Sequence, residues 1–131
     1  MEDFVDLAQA RFGFLVEQEG FTCQVQGERR VIYSGPASVI RIGIGERGGV
    51  GITVDRLSES WFYSFDFYLR TFYPDEAVRL EDSEGQRSKL EVDIALMKLA
   101  HLLSRLGRPL IEGDAEIFSR MAAALRAHLQ S

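Results

Sequence analysis

The sequence predicts an α+β fold with segregated elements: an N-terminal helix, a four-stranded antiparallel meander sheet, then a short helix and two longer C-terminal helices packed on one sheet face. Three observations predict it. Apolar residues recur at spacings of three and four before Gly20, alternate singly from 21 to 55, and return to helical spacing in the C-terminal half. Glycine-containing turns punctuate the alternating stretch. No repeat, linker or composition shift divides the chain, so residues 1–131 are expected to form a single domain.

In the first helix Phe4, Leu7, Ala8, Phe12 and Leu15 share a face. Asp3 is placed to cap it, Gly13 weakens its second half, and Gly20 before Phe21 stops it. Phe21, Cys23 and Val25 then alternate with Thr22, Gln24 and Gln26, and Cys23 reads as a small core residue. Gly27-Glu28 makes a turn before a strand from Arg30 to Tyr33, and Ser34-Gly35-Pro36 ends that strand. Next, Ile40, Ile42 and Ile44 alternate with Val39, Arg41 and Gly43. After a glycine turn, Val50, Ile52 and Val54 alternate with Gly51, Thr53 and Asp55. One face of this meander is apolar, and the helices are the cover available to it. Ser83 or Ser88 starts a long helix with Leu90, Ile94 and Met97 in one row and Val92, Leu96, Leu99, Leu103 and Leu106 in another. So wide an apolar face reads as largely buried. Gly107 and Pro109 end it, and Asp114 caps a last helix carrying Ile117, Phe118, Met121, Leu125 and Leu129.

Between sheet and long helix lies W-F-Y-S-F-D-F-Y-L-R-T-F-Y, residues 61–73, with eight of the chain's fourteen aromatics. Fully exposed, eight rings of roughly 150–250 Å² each would exceed about 1,200 Å². Monomers seldom present an apolar patch above roughly 300–600 Å². Most of the rings must therefore be buried. Two periods compete. As a strand, Trp61, Tyr63, Phe65, Phe67 and Leu69 share one face. The favoured alternative is a strand-like approach through Tyr63 with a short helix over 65–72 capped by Ser64, Pro74 ending either one. On that helix Phe65, Tyr68, Leu69 and Phe72 face the core, while Phe67 falls on the far side between Arg70 and Thr71 and is expected at the surface.

Net charge is −5, which argues against nucleic acid as a partner. The charge is uneven: residues 1–21 carry five acids and one base, 22–57 three acids and five bases, and 58–131 twelve acids and nine bases. The respective sums are −4, +2 and −3. No apolar run is long enough for a membrane span, and the opening MEDFVDLAQARF has acids where a signal peptide needs a basic start. With one unpaired cysteine, a reducing cytoplasm is the expected location.

Most chemical motifs fail on context. Gly43-Ile-Gly45-Glu-Arg-Gly48 matches G-x-G-x-x-G, but a strand follows where a dinucleotide fingerprint needs a helix. With Val50 it matches the kinase glycine loop, yet no lysine follows on the next strand and no H-R-D or D-F-G occurs. A tight hairpin that needs glycine for positive φ explains the run. His101 has no carboxylate or cysteine at metal-binding spacing and reads as a partly buried structural residue. The acid pairs Asp75-Glu76 and Glu81-Asp82, and Glu112 with Asp114 and Glu116, sit at loops and helix starts where carboxylates stay solvated. No catalytic residue, cofactor or metal is expected.

Phe12-x-Phe14-Leu15-Val16-Glu17-x-x-Gly20-Phe21, Val31-Ile32-Tyr33, Tyr63-Ser64-Phe65 before Pro74, and Leu110-Ile111-Glu112-Gly113-Asp114 span nearly all of the chain. In this order they resemble small bacterial α+β proteins of the polymorphic-toxin immunity type. The resemblance implies a compact, non-enzymatic cytoplasmic binding protein, and acidic charge suits capture of a basic protein partner. Trp61, Phe67, Arg70 and Arg41 are the candidate interaction residues. The expected partner is a protein or a second copy of the chain in a homodimer, with no nucleic acid and no membrane. The alternative is a small ligand-binding domain or enzyme that uses the polar sheet face around Gln24, Arg41 and Thr53.

Overall fold

The computed structural model describes residues 3–46, 48–59, 61–81 and 88–130, with backbone alone for 78–81. Helix α1 (Phe4–Phe12) breaks at Gly13 and resumes for one turn as α2 (Phe14–Glu17). Five strands follow: β1 (Thr22–Gln26), β2 (Arg30–Ser34), β3 (Ser38–Ile44), β4 (Val50–Arg56) and β5 (Phe62–Ser64). They pair antiparallel in the order β1-β2-β3-β4-β5. The C-terminal half holds α3 (Phe65–Phe72), α4 (Pro74–Glu81), α5 (Lys89–Leu106), α6 (Arg108–Ile111) and α7 (Ala115–Gln130). The expected α+β class and antiparallel meander are present, and four strands become five.

Register explains which sheet face is covered. Val31, Ile42 and Ile52 stand in one cross-strand row, and Tyr33, Ile40, Val54 and Tyr63 in the next. All seven are buried, with Phe4, Phe12, Leu15, Phe65, Tyr68, Leu96, Leu103 and Phe118 from the helices in the same core. The Tyr68 hydroxyl donates to the Leu106 carbonyl at 2.6 Å, and burial raises its pKa well above the usual phenol range.

Several local expectations change. Asp3 makes no cap hydrogen bond and instead pairs with Lys89 at 2.9 Å. Ser88 forms a reciprocal capping box with Glu91, while Ser83 and Asp82 lie outside the described residues. Pro74 does not only end α3: it opens α4, since proline lacks only a donor that the first turn leaves unused. Cys23 is exposed on the edge strand rather than buried. His101 is exposed, as are Leu90, Ile94 and Met97, so only one of the two rows on α5 enters the core. Among the described residues no helix is long and apolar enough to cross a membrane.

Two bidentate ion pairs join the N-terminal helices to the C-terminal half. Arg11 donates to both Asp93 oxygens at 2.9 and 3.0 Å, and Arg108 to both Glu19 oxygens at 2.7 Å. The arginine hydrogen bonds hold Asp93 and Glu19 below the usual carboxylate range. A depressed folded pKa contributes stability above the unfolded value and loses it as pH falls through the folded one. Urea midpoints are therefore expected to decline on acidification, and Arg108→Ala should flatten that decline. An equal pH slope in the variant would refute the linkage.

Candidate functional site

The alternate residues of the strands form the second sheet face, and among the described residues none on this face is buried by a helix. Three cross-strand rows make it up. Gln26, Arg30, Gly43 and Gly51 form the first, then Gln24, Ile32, Arg41, Thr53 and Ser64, then Thr22, Ser34, Val39, Asp55 and Phe62. Over the β2–β5 part of this face runs an open groove of about 690 Å³.

Each wall of the groove has its own chemistry. Arg41 forms an ion pair with Asp55, one row and one strand away. Arg30, at the other end, is exposed and makes no ion pair among the described residues; a long contact to Gln26 Oε1 at 3.4 Å is its side-chain hydrogen bond. Trp61 and Phe62 stack at 5.8 Å with planes 12° apart, and are 56% and 55% exposed. Glu59 beside them lies 3.7 Å from Arg56.

The floor is glycine. Gly43 and Gly51 are direct cross-strand partners, and Gly45 and Gly49 continue the floor towards the hairpin. The hairpin closes with the Gly45 amide on the Gly49 carbonyl at 2.9 Å and the Gly48 amide on the Gly45 carbonyl at 3.0 Å. A strand follows the glycines, as the sequence indicates. Positive φ explains only Gly48, however, at 84°. Gly43, Gly45, Gly49 and Gly51 have no such need, and a Cβ on Gly49 or Gly51 would meet nothing within 4 Å. A glycine inside a strand sacrifices roughly 0.5–1 kcal/mol relative to alanine. What these residues gain is space above the backbone.

The expected interaction residues divide between two places. Trp61 and Arg41 line the groove, with Thr53 between them; Gln24 shares their face but lies on β1, outside it. Phe67 and Arg70 belong to α3, away from the groove. Phe67 is not a surface ring: it is half-buried, stacked on Tyr63 at 6.2 Å, and packed against the core. Because α3 is short, Tyr63 on the preceding strand covers its nominally outer side. Arg70 is exposed and pairs with Asp66 at 2.7 Å. Arg30, Phe62 and the glycine floor escaped the sequence reading. Their signal was present, since Gly43 and Gly51 alternate in phase with Arg41 and Thr53.

The groove offers arginine donors, stacked rings and open backbone, which suit recognition. Among the described residues its carboxylates, Asp55 and Glu59, each face an arginine, and Thr53 is the one hydroxyl. Among the described residues no three histidine, cysteine, aspartate or glutamate side chains gather to hold a metal ion. Comparison with known proteins finds no matching family model, no matching curated protein and no matching solved structure, so the functional reading rests on this geometry.

Proposed function

We propose that this chain is a non-enzymatic cytoplasmic binding protein of the immunity type, and that its partner is another protein engaged through the uncovered sheet face. The groove carries the reading: tryptophan and arginine, the residues over-represented at binding hot spots, stand over a floor kept clear of side chains. The charge distribution supports it. The 22–57 segment sums to +2 within a chain of −5, so the groove is locally suited to an anionic group while the acidic surroundings steer a basic protein towards it.

The test is affinity capture from the source cell with quantitative comparison of variants. Trp61→Ala and Arg41→Ala are expected to weaken capture of one defined protein by about 30-fold, a change of roughly 2 kcal/mol typical of a hot spot. Arg70→Ala, on α3, is expected to leave it unchanged. A captured protein indifferent to Trp61→Ala would refute the surface assignment. Capture of a second copy alone would make the partner the chain itself.

The groove's volume favours a second reading. At about 690 Å³ it falls within the roughly 300–1,000 Å³ of small-molecule sites. Arg41 and Thr53 would then contact a small ligand directly, with Gln24 outside the contact.

A further inference from the structure

Resting on the reading that the uncovered sheet face binds a protein, we propose that the groove takes a flat ring carrying a carboxylate, presented by the partner's chain. The ring has its place at Trp61 and Phe62. These two already lie parallel at 5.8 Å and remain half-exposed, so an incoming ring extends an existing stack. The carboxylate has its place at the arginines. A guanidinium has five N–H donors, and Asp55 cannot occupy all those of Arg41. Arg30 has no acidic partner among the described residues.

The register sets the length of the occupant. Arg41 and Phe62 are separated by two strand spacings and one two-residue step. At about 4.8 Å per strand and 3.4 Å per residue their Cα atoms lie roughly 12 Å apart. Their own side chains shorten this to about the span of one aromatic amino acid from ring to carboxylate. The path between the two anchors crosses Thr53 and Asp55, while the Gly43–Gly51 row lies beyond Arg41 on the side away from Phe62.

The same geometry disfavours a nucleotide as the source of ring and anion. Phosphate sites use clustered free backbone amides or a helix N-terminus. Here the Gly45 and Gly48 amides close the hairpin internally, and a strand follows. The arginine fork accepts either anion, so the distinction lies in the missing free amides.

The probe is N-acetyl-tryptophan, which mimics a chain ending in an aromatic residue, titrated to about 10 mM against the ¹⁵N-labelled full chain, enough to reveal a millimolar Kd. The expected result is saturable shifts at the Thr53 amide and the Trp61 indole N–H. N-acetyl-tryptophanamide, with the ring but no carboxylate, should bind at least about tenfold more weakly, as should N-acetyl-tryptophan to Arg41→Gln. Arg30→Gln, at an exposed position, gives a second test of the anion site with little risk to the fold. Absence of shifts, equal binding of acid and amide, or undiminished binding to Arg41→Gln would overturn the proposal. Preferential binding of AMP would overturn its protein source. If the captured partner is lost on Trp61→Ala while the probe does not bind, this inference falls and the protein-binding reading survives.

Discussion

Phe65→Ala is expected to destabilise the protein by about 3–5 kcal/mol, the range for removing a buried phenylalanine. Phe65 is 1% exposed and is the first residue of α3. It stacks on Tyr68 at 5.9 Å, where the chain turns from β5 into the helix that helps cover the sheet. Truncation there leaves a cavity between β5 and α3 that neither can close, because Ser64 fixes the junction by accepting the Phe67 amide at 3.0 Å. Phe67→Ser is the internal comparison. Its ring is only partly buried against Tyr63, so a loss of about 1–2 kcal/mol is expected. Urea melts of the two variants decide it. Equal losses would mean that both rings lie in one strand-like face and would refute the helix.

Gly113→Ala is expected to destabilise by about 2–4 kcal/mol, although it adds a single methyl group. Two effects combine at this corner. Gly113 has φ +64°, a conformation alanine adopts only under strain, and its Cβ would fall 2.8 Å from both the Cβ and the carbonyl oxygen of Ala37. Neighbouring contacts prevent retreat. The Gly113 carbonyl accepts from Arg56 Nε at 2.8 Å, and the buried Ser38 hydroxyl donates to the Ile111 carbonyl at 3.0 Å. Gly20→Ala separates the two effects, because Gly20 has φ +75° but nothing within 4 Å of its missing Cβ. It should lose only about 1 kcal/mol. Similar thermal shifts in both variants would show that backbone strain alone acts at Gly113.

Local rules carried the sequence reading furthest where one residue decides the outcome. Ser64 caps α3, Gly20 and Gly27 take positive φ, and Asp114 accepts the Ile117 amide at 3.1 Å, all from chemistry visible in the chain. The reading weakened where a distant neighbour decides. β5 is three residues long and is a strand only because β4 pairs with it. Asp3 was a plausible cap, but Lys89 holds its carboxylate. Leu90, Ile94 and Met97 have the period of a buried row, and period alone does not say how much of a helix its neighbours can cover. The groove was half legible. Alternation placed Arg41 and Thr53 on the polar face, whereas separating Gly48 from its four neighbouring glycines required the backbone angles.

The strand order β1-β2-β3-β4-β5 also bears on how fast the molecule can fold. Every strand pairs with its neighbour in the chain across the short segments 27–29, 35–37, 45–49 and 57–61. Each hairpin therefore closes at a small entropic penalty, and the sheet can zip outward from any one of them. The N-terminal helix is different: α1 packs on α5, and Arg11 reaches Asp93 across most of the sequence. That contact gains stability only after the sheet has brought the two helices together, so it belongs to the late side of the folding barrier, where interactions govern the lifetime of the native state more than the speed of reaching it.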